Sequence, residues 1–131
     1  MPVHDGTLGM ECPFCSPAGD EVVISNDAAY VRYDRYPVSQ GHMLVIPRRH
    51  ISSYLDCNEQ ERIALWNLVD EARKLLDREV APDGYNIGIN IGEAGGQTVM
   101  HMHIHLIPRF HGDMEDPRGG VRGVIPDKMR Y

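Results

Sequence analysis

The sequence predicts an α+β domain: a mainly antiparallel sheet of about five strands, with one long helix and a short one. Three observations carry that expectation. Short alternating or β-branched stretches recur along the chain and are joined by brief turns. One long segment has helical periodicity. The stretch "QTVMHMHIHLIPR" alternates histidine with bulky apolar residues. At 131 residues, with 42% hydrophobic and 24% charged content, the chain has the size and composition of one domain that buries its own core.

The elements follow in order. Cys12 to Cys15 read "CPFC" and lead into the turn-forming Pro17, Ala18, Gly19 and Asp20. Glu21 to Ser25 and Ala28 to Asp34, the second containing "AYVRYD", read as the strands of a hairpin. A loop through Pro37 to Gly41 precedes a strand from about His42 to Pro47, whose Val45 and Ile46 predict burial. Asn58, with Glu61 three places on, is a capping-box pattern, and Ile63, Trp66, Val69, Ala72, Leu76 and Val80 continue at helical spacing as far as Pro82. The charges Glu59, Glu61, Arg62, Asp70, Arg73 and Lys74 read as that helix's solvated face. "YNIGINI", Tyr85 to Ile91, alternates as a strand. "GEAGGQT" is a glycine-rich loop, and Val99 to Ile107 is the histidine strand, expected to be central. Residues 111–131 are mostly turn formers and charges and read as a surface arm, while residues 1–20 form a cysteine-bearing segment of the same single domain, 1–131.

The formal net charge of -6 argues against a broad surface for nucleic-acid phosphates, so no nucleic-acid partner is expected. No apolar run approaches the roughly 20 residues that a membrane-spanning helix needs. The opening "MPVHDGTLGMEC" has neither the basic nor the apolar part of a secretion signal, and a cytoplasmic location is expected. In that reducing compartment three cysteines do not form a disulfide framework. Cys12 and Cys15 read as a metal-binding or redox pair and Cys57 as a structural thiol.

Side chains at every second strand position share a face, so His101, His103 and His105 form a row, with Met102, Ile104 and Leu106 on the opposite face. Solvated strand faces are normally filled with threonine, lysine and glutamate, and neighbouring imidazoles repel when protonated. The row therefore points to chemistry. Imidazole serves as metal ligand, general acid or base, or nucleophile. The preceding "GEAGGQT" offers backbone N–H groups unscreened by side chains, as a phosphate cradle requires, together with the polar tips of Gln97 and Thr98. Taken alone, that loop is equally a plain hairpin turn.

A His-x-His-x-His pattern followed by two apolar residues stands complete as "HMHIHLI". With "CPFC", "GHMLVIPRRHI", "NIGEAGGQTV" and "HLIPRF", it makes most of the chain resemble the histidine triad (HIT) superfamily of nucleotide hydrolases and transferases. The resemblance implies a HIT-like fold whose sheet extends across a homodimer, and a nucleotide substrate. It implies that His103 is the nucleophile, attacking the α-phosphorus to form a nucleotidyl-histidine that water resolves, and that His105 binds and polarises the phosphate. Family contacts to the phosphate and leaving group fall on Asn90, Gly96, Gln97 and Thr98, with Gln97 grouped among the catalytic residues. The acidic residue that holds the ribose hydroxyls falls on Asp34, and His42 of the Gly-His pair lies near the pocket. Covalent catalysis by a neutral imidazole, aided by N–H donors to the phosphate oxygens, requires no magnesium ion.

Cys12 and Cys15 would supply two of the four ligands that a closed zinc site needs. Zinc-containing branches of the superfamily, and the similar galactose-1-phosphate uridylyltransferases, imply His50 and His101 as the other two. By this resemblance the row divides its work between a structural zinc ion at His101, the nucleophile His103 and the phosphate ligand His105, with no organic cofactor. The alternatives are two free thiols at Cys12 and Cys15, a catalytic zinc held by all three histidines, and a nucleotide-binding protein with little turnover. Same-face neighbours lie roughly 7 Å apart along a strand, which suits a single shared ion poorly. For the substrate, "LIPR" and "GQTV" resemble diadenosine polyphosphate hydrolases of the fragile histidine triad branch. Asn90 departs from that branch, which usually carries glutamine there, and matches nucleoside phosphoramidases. A dinucleoside polyphosphate is expected ahead of a phosphoramidate. Arg118 and Arg122, in "DPRGGVRGVIP", read either as contacts to extra phosphates or a dimer partner, or as ordinary surface charge.

Overall fold

Five short extended stretches pair beside one long helix. In the computed structural model, which describes residues 12–131, the strands are β1 (Ile24–Ser25), β2 (Ala29–Tyr33), β3 (Met43–Pro47), β4 (Gly84–Gly88) and β5 (Ile104–Arg109), and the helix is α1 (Glu59–Glu79). The strands form a single antiparallel sheet in the order β1-β2-β3-β5-β4. The segment "MPVHDGTLGME", read above for export signals and as the start of the cysteine-bearing segment, lies outside the described residues. Among the described residues no helix is long and apolar enough to cross a membrane.

Several boundaries differ from the alternation of the sequence, each for a local reason. Glu21 is not in a strand; it ends a 3₁₀ turn, Gly19–Glu21, where its carboxylate accepts the Ala18 N–H at 3.0 Å. The β1–β2 turn is closed by Asn26, whose Oδ1 accepts the N–H groups of Ala28 and Ala29 at 3.1 and 2.9 Å. The histidine strand begins at Ile104 rather than Val99, because Met102 donates its N–H to the Ile51 carbonyl at 2.7 Å and the chain there follows the segment beyond β3. That departure carries His101 to His50. The strand is interior, as expected, between β3 and β4. β4 stops at Gly88, so Asn90 stands past its end. In place of the expected short helix, the described residues form 3₁₀ turns such as Tyr54–Asp56 and Gly120–Val124.

Helix α1 starts with the expected box: Asn58 Oδ1 accepts the Glu61 N–H at 2.8 Å, and Glu61 Oε1 accepts the Asn58 N–H at 2.9 Å. Its buried stripe is Leu65, Leu68, Val69, Ala72 and Leu76, shifted by a fraction of a turn from the periodicity read in the sequence. Ile63 and Trp66 are 55% and 40% exposed. A period of 3.6 admits both phases, and the observed stripe follows i, i+3, i+4, i+7 more closely. The stripe packs with Val31, Met43, Val45, Met102, Ile104 and Leu106 in one core. Each fully buried leucine there contributes ~2 kcal/mol. Glu61 is not solvated; it is buried and receives Arg49 Nε and Nη2 at 2.9 and 2.8 Å.

The other face of the sheet carries the polar residues. Strand register places Arg32 beside Leu44, Leu44 beside His105 and His105 beside Gly88, one row running from β2 to β4. Asp34 N–H donates to the His42 carbonyl at 2.9 Å, which extends the β2–β3 pairing by one step and sets Asp34 beside His42 on this same face.

Candidate active site

His101 is fully buried, and its Nε2–H donates to the Pro47 carbonyl at 2.8 Å, which leaves Nδ1 as an unprotonated ligand. Around that atom the "CPFC" turn and the segment after β3 bring three more donors. Cys12 Sγ lies 3.4 Å and Cys15 Sγ 3.5 Å from His101 Nδ1, His50 Nδ1 lies 3.1 Å from it, and Cys15 Sγ is 3.1 Å from His50 Nδ1. A tetrahedral zinc ion with ordinary bond lengths has S···N edges of about 3.6 Å and N···N edges of about 3.3 Å. The four donors thus have the chemistry and the spacing of a closed zinc site, all within 4.8 Å of one another. Burial, and then the adjacent Cys12, push the Cys15 thiol up to about 11, and burial holds His101 down to about 4. A cation among the donors reverses the thiol preference, since thiolate is the metal-binding form.

His103 is oriented differently. Its Nδ1 lies 2.8 Å from the His101 carbonyl, so Nδ1–H donates there and Nε2 keeps its lone pair. Burial, foremost, holds its pKa below the usual imidazole value, which keeps the ring neutral near pH 7. The Phe14 ring stands edge-on to it with centroids 5.0 Å apart.

His105 takes the opposite tautomer. Val38 N–H donates to His42 Nδ1 at 3.1 Å, so His42 carries its proton on Nε2, 3.0 Å from His105 Nδ1. His105 Nδ1 therefore accepts, and Nε2–H is left as a donor. Burial, followed by His103 and His42, holds His105 down to about 4. Burial lowers His42 as well, against the pull of Asp34, whose Oδ2 is 3.4 Å from His42 Nε2. His103 and His105, with ring centroids 5.0 Å apart, thus present a lone pair and an N–H side by side.

Both rings line a cleft of 430 Å³ whose walls include Asp34, Asn90, Gly96 and Thr98. Gly92 and Gly96 adopt φ of +78° and +93°, a region only glycine enters freely, so the glycine-rich loop is a specific turn. The three histidines do not converge on one point: His101 faces the cysteines, while His103 and His105 face the cleft.

The family model of the HIT domain matches residues 17–112. The chain belongs to the HIT domain family. An AP-4-A phosphorylase of Mycobacterium tuberculosis is 33% identical over 123 residues, which span 92% of this chain and 63% of that protein. The chain thus spans less than two thirds of that relative's length. An uncharacterized HIT-like protein of Methanocaldococcus jannaschii is 33% identical over 125 residues, 90% of this chain and 95% of its own. Among solved structures, a zinc-bound histidine triad family protein from Mycobacterium smegmatis is similar with a TM-score of 0.72 and 30% identity, over 82% of this chain and 81% of that one.

Within this HIT domain the surroundings of Gln97, Arg118 and Arg122 are specific. Gln97, grouped above with the catalytic residues, lines the cleft but is buried, and its amide is engaged by the backbone: Oε1 accepts Gly92 N–H at 3.0 Å, and Nε2 donates to the carbonyls of Ser52 at 2.6 Å and Val99 at 3.1 Å. It braces the loop. Of the two readings of Arg118 and Arg122, the contacts favour surface charge within the arm: Arg118 is paired with Asp116, and Arg122 donates to the carbonyls of Lys128 and Met129 with its guanidinium 4.5 Å from the Tyr131 ring centroid. Two residues escaped the sequence reading. Phe14 belongs to the site through its ring contacts with His101 and His103, and its place between the two cysteines was the signal. Arg32 lines the cleft while 2% exposed, donating to the Pro13 carbonyl at 3.1 Å and pairing with Glu21. Its parity with Asp34, one step past the end of β2, placed it on the same face. Glu21 also binds Arg35, and Arg35 foremost holds its carboxyl down to about 2.

Proposed function

We propose that this HIT domain hydrolyses a nucleoside 5′-phosphoryl bond through a nucleotidyl-histidine, with dinucleoside polyphosphates as the preferred substrates. The observation that carries the reading is the pair of opposed tautomers. His103 offers Nε2 as a neutral nucleophile, and His105 offers Nε2–H beside it as a donor to a non-bridging phosphate oxygen. In the first step a His103 Nε2–P bond forms while the bond from α-phosphorus to the leaving group breaks. Water then displaces His103 and releases the nucleoside monophosphate. The Thr98 backbone N–H neutralises phosphate charge beside Gly96, whose own N–H closes the loop on the Glu93 carbonyl at 2.9 Å, Asn90 meets the leaving group, and Asp34 receives the ribose hydroxyls. The name of the mycobacterial relative supports a dinucleoside tetraphosphate substrate, and Asn90 at the cleft wall favours a phosphoramidate as the second reading.

Cys12, Cys15, His50 and His101 are the ligands we assign to zinc, a reading supported by their spacing and by the zinc-bound structural relative. Zinc there ties the "CPFC" turn to the sheet and has no part in the displacement. The two thiolate ligands suit a reducing compartment, the cytoplasm. We also infer a homodimer: among the described residues no strand pairs with the outer edge of β4, which exposes Ile87, 39% accessible, so a second copy can continue the ladder. Light scattering that returns the mass of one chain overturns that inference.

A parallel turnover assay with diadenosine tetraphosphate and adenosine phosphoramidate, on wild type and His103→Ala, tests the activity. AMP from the first substrate, lost in the variant, is the expected result. ADP formed only when inorganic phosphate is added identifies a phosphorylase, release from the phosphoramidate alone favours the second reading, and silence on both leaves a binding protein.

A further inference from the structure

The cleft does not end at His105. A second, more open groove of 530 Å³ begins there, and His105 and Asn90 line both. Its far wall is the carboxyl-terminal arm, through Val121 and Val124, which lie beyond the residues that the HIT domain model matches. His103 lines the first cavity and not the second, so the second groove leads away from the side on which the nucleophile stands.

Three features make this groove a continuation of the reaction site. First, the residue beside His105 on β4 is Gly88, where an added Cβ would meet nothing within 4 Å. Gly88 lines the second groove, so a side chain there would narrow it beside His105, which lines both cavities. Secondly, the wall is held in place. Gly119 has φ of +94° and a Cβ there would come within 1.9 Å of the Met129 carbonyl oxygen, Arg122 ties the same turn to Lys128 and Met129, and Asp116 holds Arg118 and Arg130. Thirdly, the lining is mainly apolar, with Ile107 on the sheet and Val121 and Val124 on the arm, and its volume falls within the range of about 300–1,000 Å³ of small-ligand sites. The first cavity, by contrast, has Arg32 and Arg35 in its wall.

In a phosphoryl displacement the leaving group departs opposite the attacking atom. We propose that the groove between β4 and the arm is the subsite for the second nucleoside of a dinucleoside polyphosphate, which would lie against Ile107, Val121 and Val124 while its phosphates pass Asn90 and His105. This rests on the nucleotidyl-transfer reading given above. It makes the arm, which Arg118 and Arg122 brace from within, the element that selects a large leaving group over a small one.

The test compares two substrates that share the adenylyl group and differ in what leaves: diadenosine tetraphosphate and adenosine 5′-phosphorofluoridate. The readout is the ratio of their kcat/KM values. Val121 and Val124 are 61% and 81% exposed, so Val121→Glu and Val124→Glu leave the core untouched, and Gly88→Val narrows the passage without touching the arm. Each is expected to lower the ratio about tenfold, mainly through a higher KM for the dinucleotide. An unchanged ratio in the arm variants, with both substrates turned over, overturns the subsite and leaves the nucleotidyl-transfer reading standing. If the wild type turns over neither substrate, that reading fails and the subsite falls with it.

Discussion

Removal of zinc from the Cys12, Cys15, His50 and His101 cluster is expected to lower the melting temperature by an amount that follows from the geometry. The four donors are already spaced as tetrahedral ligands, and Cys12 and His101 are 7% and 0% exposed, so little rearrangement opposes binding. Free zinc at a thousand times its dissociation constant stabilises the folded state by ~4 kcal/mol. An unfolding entropy of about 2.1 cal/mol/K per residue, over 131 residues, gives ~0.28 kcal/mol/K, so chelation should lower the melting temperature by ~15 °C. The sheet and helix share a core to which the cluster does not contribute, so the zinc-free protein should stay folded at 25 °C. The assay is scanning calorimetry with and without a chelator, beside elemental analysis of the purified protein. His50→Ala should lose the zinc and melt near the chelated wild type. A metal-to-protein ratio near zero, together with a melting temperature indifferent to chelator and to His50→Ala, refutes the assignment.

Burial, foremost, holds His42, His103 and His105 below the usual imidazole value of 6.5, with His105 down to about 4. Below pH 6.5 the unfolded chain therefore takes up protons that the folded chain refuses. Stability should be full above that pH and fall below it, by about 1.4 kcal/mol per pH unit toward pH 4 for His105, with His42 and His103 acting in the same direction, and kcat/KM should show its acid limb below 6.5; an acid limb above it contradicts the neutral nucleophile. Gln97→Ala leaves three backbone groups unpaired and should cost ~2 kcal/mol, lowering the melting temperature by several degrees; an unchanged melt with activity abolished would return Gln97 to the chemistry. Asp34→Ala should raise KM roughly tenfold and erase a preference for ribo- over 2′-deoxyribonucleotides, a loss of ~1.5 kcal/mol of hydrogen bonding to a charged acceptor. A wild type that treats the two sugars alike contradicts that role.

What could be read in advance followed periodicity. The alternation in "HMHIHLI" placed Met102, Ile104 and Leu106 in the core and kept His103 and His105 off it. The capping box located the start of α1 because it depends on two residues three apart. The phase of the helix was harder, since Ile63 and Leu65 are both apolar and only packing on β2 and β3 selects Leu65. Non-local pairs were out of reach of pattern alone. Nothing in spacing shows that Glu61 meets Arg49, that Ser52 receives Gln97, or that the Ile51 carbonyl pulls Met102 out of the β5 ladder. The tautomers were hidden for the same reason: they are set by the Val38 N–H and by the carbonyls of Pro47 and His101, which are backbone atoms positioned by the fold. The two cysteines of the metal cluster were legible from their spacing as a metal-binding or redox pair, the two histidines were named through family resemblance, and the fold supplies the distances that the sequence lacked.

The most direct test of the account is to trap the intermediate. Wild type mixed with diadenosine tetraphosphate, quenched within one turnover and taken to intact-mass analysis and peptide mapping, should carry one adenylyl group on the peptide containing His103, acid-labile as a phosphoramidate is, and His103→Ala should carry none. Turnover by wild type with no adduct at any time point, or an adduct on another residue, contradicts the assignment of His103 as the nucleophile.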